Sequence, residues 1–154
     1  MIWPALFTFT NAVAVATWAA LALAPRRPAV LSLVLYAGVG LLCLVYAMIF
    51  ANLLLGMADP GRLAGAAPGP PEYTIAGIRG LFQSDAGLVL GWTHYLAFDL
   101  FVGLWIARDA DAKGFGRAVQ LPLLIMTFVA GPVGLLFWLL VRERRARLLA
   151  RRRA

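Results

Sequence analysis

The chain has 154 residues, of which 62% are apolar and only 14% charged, with a mean hydropathy of +0.83. A soluble domain runs at roughly 45–50% apolar and about 25% charged, and a chain this short cannot hide such an excess in one core. Composition therefore excludes an ordinary soluble fold and points to an integral membrane protein. The net charge of +7 is not a nucleic-acid signature. Seven of the basic residues, Arg142, Arg144, Arg145, Arg147, Arg151, Arg152 and Arg153, follow the last apolar run, where they would meet anionic lipid headgroups. Arginine dominates lysine, and Ala, Gly and Leu are abundant, a pattern of a GC-rich bacterial coding sequence. Cys43 has no partner in the chain, so no internal disulfide is expected, and it reads as a small buried hydrophobe.

In chain order, the first apolar run covers positions 2–24 and stops at Pro25-Arg26-Arg27-Pro28. No basic residue precedes it, and it exceeds the usual length of a signal-peptide core, so an uncleaved membrane helix is expected. A second run, 29–57, is longer than one crossing needs and can tilt. Residues 58–73 are rich in Gly, Pro and Ala and read as a loop. In 74–84, Ile75, Ile78, Leu81 and Phe82 recur at three- and four-residue spacing, which predicts a short amphipathic helix at the interface. The third span, 86–107, ends in the polar turn Arg108-Asp109-Ala110-Asp111-Ala112-Lys113-Gly114. The fourth, 118–141, carries Pro122 near its start and Gly131-Pro132 at its centre, where a kink is expected whose freed backbone groups need a protein neighbour. The reading is all-α: a four-helix transmembrane bundle over 1–141 with a short interfacial helix before span three, followed by a basic tail, 142–154.

Four crossings put both termini on one side. The dense tail assigns that side to the cytoplasm of a cell inner membrane. Arg26, Arg27, Arg108, Lys113 and Arg117 then fall on the opposite face, against only Arg62 and Arg79 in the middle loop, so the first connection votes the other way.

The third span carries the candidate site. Trp92-Thr93-His94-Tyr95-Leu96-Ala97-Phe98-Asp99-Leu100-Phe101 places the only histidine and an aspartate inside an apolar run. Asp at that depth costs about 2.5–3.5 kcal/mol on insertion scales, so intramembrane ionisable residues mark function by default. At 100° per residue Asp85, Trp92, Tyr95, Asp99 and Gly103 share one stripe, while His94 lies about 140° from Asp99 with Phe98, Phe101 and Trp105. Both are expected to face the interior, with Tyr46 or Asn52 of span two beside Asp99. The bland alternative is that each polar group only ties two helices together. One histidine, no Cys pair and scattered carboxylates do not make a metal site, and no haem, phosphate-loop or dinucleotide motif is present.

Trp92-x-His94-Tyr95-Leu96-x-Phe98-Asp99, followed by Gly131-Pro132-Val133-Gly134, resembles the abscisic-acid-deficient-four family. These are plastid membrane proteins associated with forming neoxanthin from violaxanthin, together with bacterial relatives. Asn11, Trp18 and Leu81-Phe82 also look familial, and the likeness covers nearly the whole chain. It implies four membrane helices and a part in carotenoid chemistry; the missing metal, haem and nucleotide motifs separately lead us to expect no cofactor. Epoxide opening to an allene needs an acid at the oxygen and a base at carbon; a protonated Asp99 could give the proton and a neutral His94 take one. Trp92, Tyr95, Phe98, Phe101, Asn52 and Tyr46 would line the polyene. The competing readings are a non-catalytic carotenoid- or lipid-binding or accessory subunit, and a proton conductor.

Overall fold

The computed structural model describes residues 2–59 and 74–151, with side chains as far as Glu143. Most of the predicted middle loop, 60–73, lies outside the described residues. Among those described, secondary structure is helical throughout: α1 (Ile2–Leu23), α2 (Pro28–Leu54), α3 (Ile75–Leu81), α4 (Asp85–Ala112), α5 (Arg117–Val129) and α6 (Gly131–Arg151). Three of them, α1, α2 and α4, with 22, 27 and 28 residues, are long and apolar enough to cross a membrane.

The boundaries follow local chemistry. Pro28 occupies the first turn of α2, where its missing N–H costs nothing. Thr74 caps α3 by accepting from the Gly77 amide at 3.0 Å, and Ser84 caps α4 by accepting from Gly87 at 3.0 Å. Asp85 in the first turn of α4 complements the helix dipole. Gly114, at φ 67°, ends the turn after α4. The short helix expected over 74–84 is α3, and Ile75 and Ile78 on it and Phe82 at its C-terminal cap are exposed.

The helices crossing the bundle alternate in direction. Thr17 of α1 and Leu100 of α4 both press on Gly38, where an added β-carbon would lie 2.9 Å from each side chain. Around this glycine, α2 winds as a π-helix from Val34 to Gly40, a local widening often found where helices make a special contact. The main core joins Trp18, Leu21, Val34, Leu100, Leu104 and Trp138. A smaller one, Val45, Ile49, Val89 and Leu90, lies toward the amino-terminal end. Leu44, Met48, Phe98, Ile125 and Phe137 point outward, as expected of helices whose outer solvent is hydrocarbon.

The fourth apolar run departs from expectation. It is not one kinked helix but two, because Ala130 leaves helical geometry at φ −152°, ψ 78°. α6 then doubles back along α5: a β-carbon on Gly134 would collide with the backbone of Thr127, a closeness impossible for residues seven apart on one helix. Trp138 returns to the end from which α5 started, packing edge-on against Phe115 with ring centres 5.2 Å apart. The hairpin enters to the level of Asp99 and retreats. The expectation that 118–141 crosses once, placing both termini on one face, is therefore corrected. Ile2 lies at one end of the bundle, and Trp138 and Arg142 at the other, beside the 24–28 and 113–116 connections.

Candidate functional site

Asp99 sits midway along α4, buried at 9% exposure. Its carboxylate lies beside the Gly131 amide and the Tyr95 hydroxyl, and it takes the volume that a side chain at position 131 would need. One carboxylate oxygen, Oδ2, is buried without a hydrogen-bond partner among the described residues. One turn earlier on the same stripe, Tyr95 donates from its hydroxyl to the Val129 carbonyl at 3.2 Å. The two side chains thus attend to the two broken ends of the hairpin. Val129 is the last residue of α5, and its carbonyl has lost the amide a continued helix would supply. Gly131 opens α6 with an amide that has lost its carbonyl. Inside hydrocarbon such groups must be satisfied by a neighbour, and α4 supplies one residue for each.

His94 faces elsewhere. The predicted separation of His94 from Asp99 holds, but the expectation that both face the interior does not: the imidazole is on the exposed side of α4. It stacks on Phe98 with ring centres 4.5 Å apart and tilts against Tyr46 at 5.5 Å. Tyr46 in turn stacks on Phe50 at 6.0 Å. Phe98 and Phe101 are exposed at 56% and 50%. The result is an open aromatic strip across α2 and α4 with His94 in it, and the imidazole makes no hydrogen bond among the described residues.

The remaining predicted site residues divide between structure and strip. Trp92 donates from Nε1 to Asn11 Oδ1 at 3.1 Å and packs against Phe7 and Tyr95, tying α4 to α1. Asn52 donates to the Met48 carbonyl of its own helix at 2.8 Å, so neither it nor Tyr46 is the partner of Asp99. Helix geometry alone put Tyr46 and Asn52 within reach; the hairpin tip claimed the carboxylate first. Cys43, expected to be buried, is exposed.

A polar cluster at the arginine-rich end was not foreseen as a unit. Asp109 pairs with Lys113 one turn on, lies 2.8 Å from Arg142 Nε, and accepts from Trp138 Nε1 at 3.1 Å. Arg142 also stacks over Trp105, 5.3 Å from the ring centre. Arg26 donates to the Leu21 carbonyl and to Gln120 Oε1 at 3.1 Å, with Asp111 Oδ2 3.4 Å from its Nε. Burial lowers the pKa of Arg26, the charge of Arg117 acts in the same direction, and Asp111 opposes. Only the four-residue spacing of Asp109 and Lys113 announced any of this in the sequence.

A family model described as ABA DEFICIENT 4-like matches residues 5–138, from the first turn of α1 to the returning arm of the hairpin. Neither a curated protein nor a solved structure matches the chain.

Proposed function

The chain belongs to the ABA DEFICIENT 4-like family, and on that footing we propose that it draws a carotenoid-like polyene from the bilayer and isomerises it at His94. The observation that carries this reading is the exposed imidazole within the ring series Phe50, Tyr46, His94 and Phe98. A polar side chain facing hydrocarbon is costly and is best explained by a polar group on something held in the lipid. At 1.5 Å per residue His94 lies about 14 Å along α4 from Asp85, deep enough to meet the oxygenated ring of a tilted carotenoid. The flat outward rings of Phe50, Phe98 and Phe101 suit its conjugated rod.

Isomerisation of an epoxide to an allenic alcohol conserves protons, so one imidazole suffices. The protonated ring gives its proton to the epoxide oxygen as the C–O bond opens. The neutral ring then takes the proton leaving the adjacent carbon, whose C–H electrons form the new double bond. Asp99 in this reading is a positioning residue: it holds the hairpin against α4 and does not touch substrate. Tyr95 and Trp92 serve the same framework. The second reading is a non-catalytic carotenoid- or lipid-binding subunit, favoured by the absence of a carboxylate or second imidazole beside His94 among the strip residues, whose other members are Phe50, Tyr46 and Phe98.

Location follows from charge. Of the fourteen basic residues, all but Arg62 and Arg79 lie on or follow the segments at the arginine-rich end, so that end is cytoplasmic by the positive-inside rule and the amino terminus is outside. The membrane is a cell inner membrane in a bacterial host. The conflict between tail and first connection then disappears.

The test is to express the chain in cells that make an epoxycarotenoid and to chromatograph both the pigment extract and the pigment that copurifies. Wild type should generate an isomer that His94→Ala does not, while both copurify pigment. Equal conversion by His94→Ala removes its role; copurified pigment with no conversion by wild type leaves the binding reading.

A further inference from the structure

Between α1 and α5, at the arginine-rich end, lies a cleft of about 150 Å³. Its polar lining is Arg26, Arg117 and Gln120, and its apolar lining is Ala22, Ala118, Leu121 and Leu124. Ala118 and Leu121 are exposed, so the cleft opens sideways, toward the surroundings of the bundle. Two guanidiniums share it with the amide of Gln120, and no carboxylate among the described residues lines it; Asp111 lies behind Arg26 and Gln120, 3.4 Å from Arg26 Nε.

Arg26 is engaged on every nitrogen, Nη1 with the Leu21 carbonyl, Nη2 with Gln120 Oε1 and Nε facing Asp111 Oδ2 at 3.4 Å, but Arg117 is not. Arg117 uses a single nitrogen, Nη2, to bond the carbonyls of Ala22 and Ala24 at 3.0 and 2.9 Å. Its Nε and Nη1 carry no hydrogen bond among the described residues. Capping the free carbonyls of α1 would need one arginine, not two brought from positions about ninety residues apart into mutual repulsion.

An anion between them resolves the arrangement. Guanidinium forks match phosphate oxygens in geometry as well as charge, and the height is that of a headgroup, where α1 and α4 turn polar. The apolar lining is what an acyl chain would follow. We infer that this cleft binds the phosphate of an anionic membrane lipid, with the diester on the free Nε and Nη1 of Arg117 in the field of Arg26, and one chain running down past Leu121. The inference rests on the membrane reading of the helices and is independent of pigment chemistry at His94.

Native mass spectrometry of the detergent-purified full chain tests it, with dioleoyl phosphatidylglycerol as the probe. Dioleoyl phosphatidylcholine and inorganic phosphate are the comparison arms. Two variants are needed. Arg117→Gln removes one charge, and Ala118→Phe fills the mouth while leaving both arginines and the basic tail intact. We expect one saturable phosphatidylglycerol adduct, weakened about five- to tenfold by either variant, as loss of about one charged contact implies, with phosphatidylcholine binding unchanged. Thermal unfolding of Ala118→Phe at the wild-type temperature confirms that the loss is local. Unchanged phosphatidylglycerol binding in a folded Ala118→Phe assigns the adduct to the tail and overturns the inference. Inorganic phosphate that displaces the lipid at equal affinity overturns it in favour of a free-anion site.

Discussion

The carboxylate of Asp99 fills the space in which a β-carbon on Gly131 would lie. That single relationship joins the middle of α4 to the tip of the α5–α6 hairpin, and it makes the two residues mutually exclusive with larger ones. Gly131→Ala should therefore destabilise the fold by about 1–3 kcal/mol, the range for overpacking, read as a lower unfolding temperature in detergent. In an Asp99→Ala background the same change should cost much less, a coupling of about 1 kcal/mol or more. An equal loss in both backgrounds would refute the contact.

The returning hairpin predicts membrane sidedness. In a Cys43→Ser chain, Arg27→Cys and Arg147→Cys should react with an impermeant maleimide from the same side of the membrane, and Ala58→Cys from the other. Labelling of 27 and 147 from opposite sides would mean that the fourth apolar run crosses.

The aromatic strip predicts a lipid-facing surface on one side of α4. Spin labels on single cysteines at 98 and 101 should collide with oxygen dissolved in the bilayer and be shielded from a water-soluble nickel complex. Labels at 100 and 104, which replace buried leucines, should be reached by neither. High oxygen access at all four would place the whole helix outside the bundle.

Trp138 predicts how firmly the returning arm is held. It is fully buried, packs on Phe115 and donates to Asp109. Trp138→Phe retains most of the packing and loses the hydrogen bond to a charged group, costing about 1.5–3 kcal/mol. Trp138→Ala adds a cavity and should cost about 3–5 kcal/mol. Urea or thermal unfolding in detergent measures both; wild-type stability in Trp138→Phe would mean that the bond to Asp109 contributes nothing, and equal losses in the two variants that the ring's packing adds nothing.

The sequence by itself determined the class of molecule and most of its helices. Apolar runs of spanning length require hydrocarbon around them, Thr74 and Ser84 mark helix starts because their hydroxyls satisfy free amides, and a fixed 100° per residue separates His94 from Asp99. What it left open was what each of those two residues faces. Gly131-Pro132 in an apolar run is equally compatible with a kink and with a full reversal, since both begin with the same missing backbone bonds. The choice lies in the dihedral angles of Ala130, and these are held by Tyr95 and Asp99, more than thirty residues away, which supply the partners that each broken helix end lacks. Once the hairpin takes Asp99, His94 is left alone on the outer face, and the tail emerges beside Arg26 instead of opposite it. Local pattern fixes where helices are; only long-range satisfaction of their ends decides which way the chain turns.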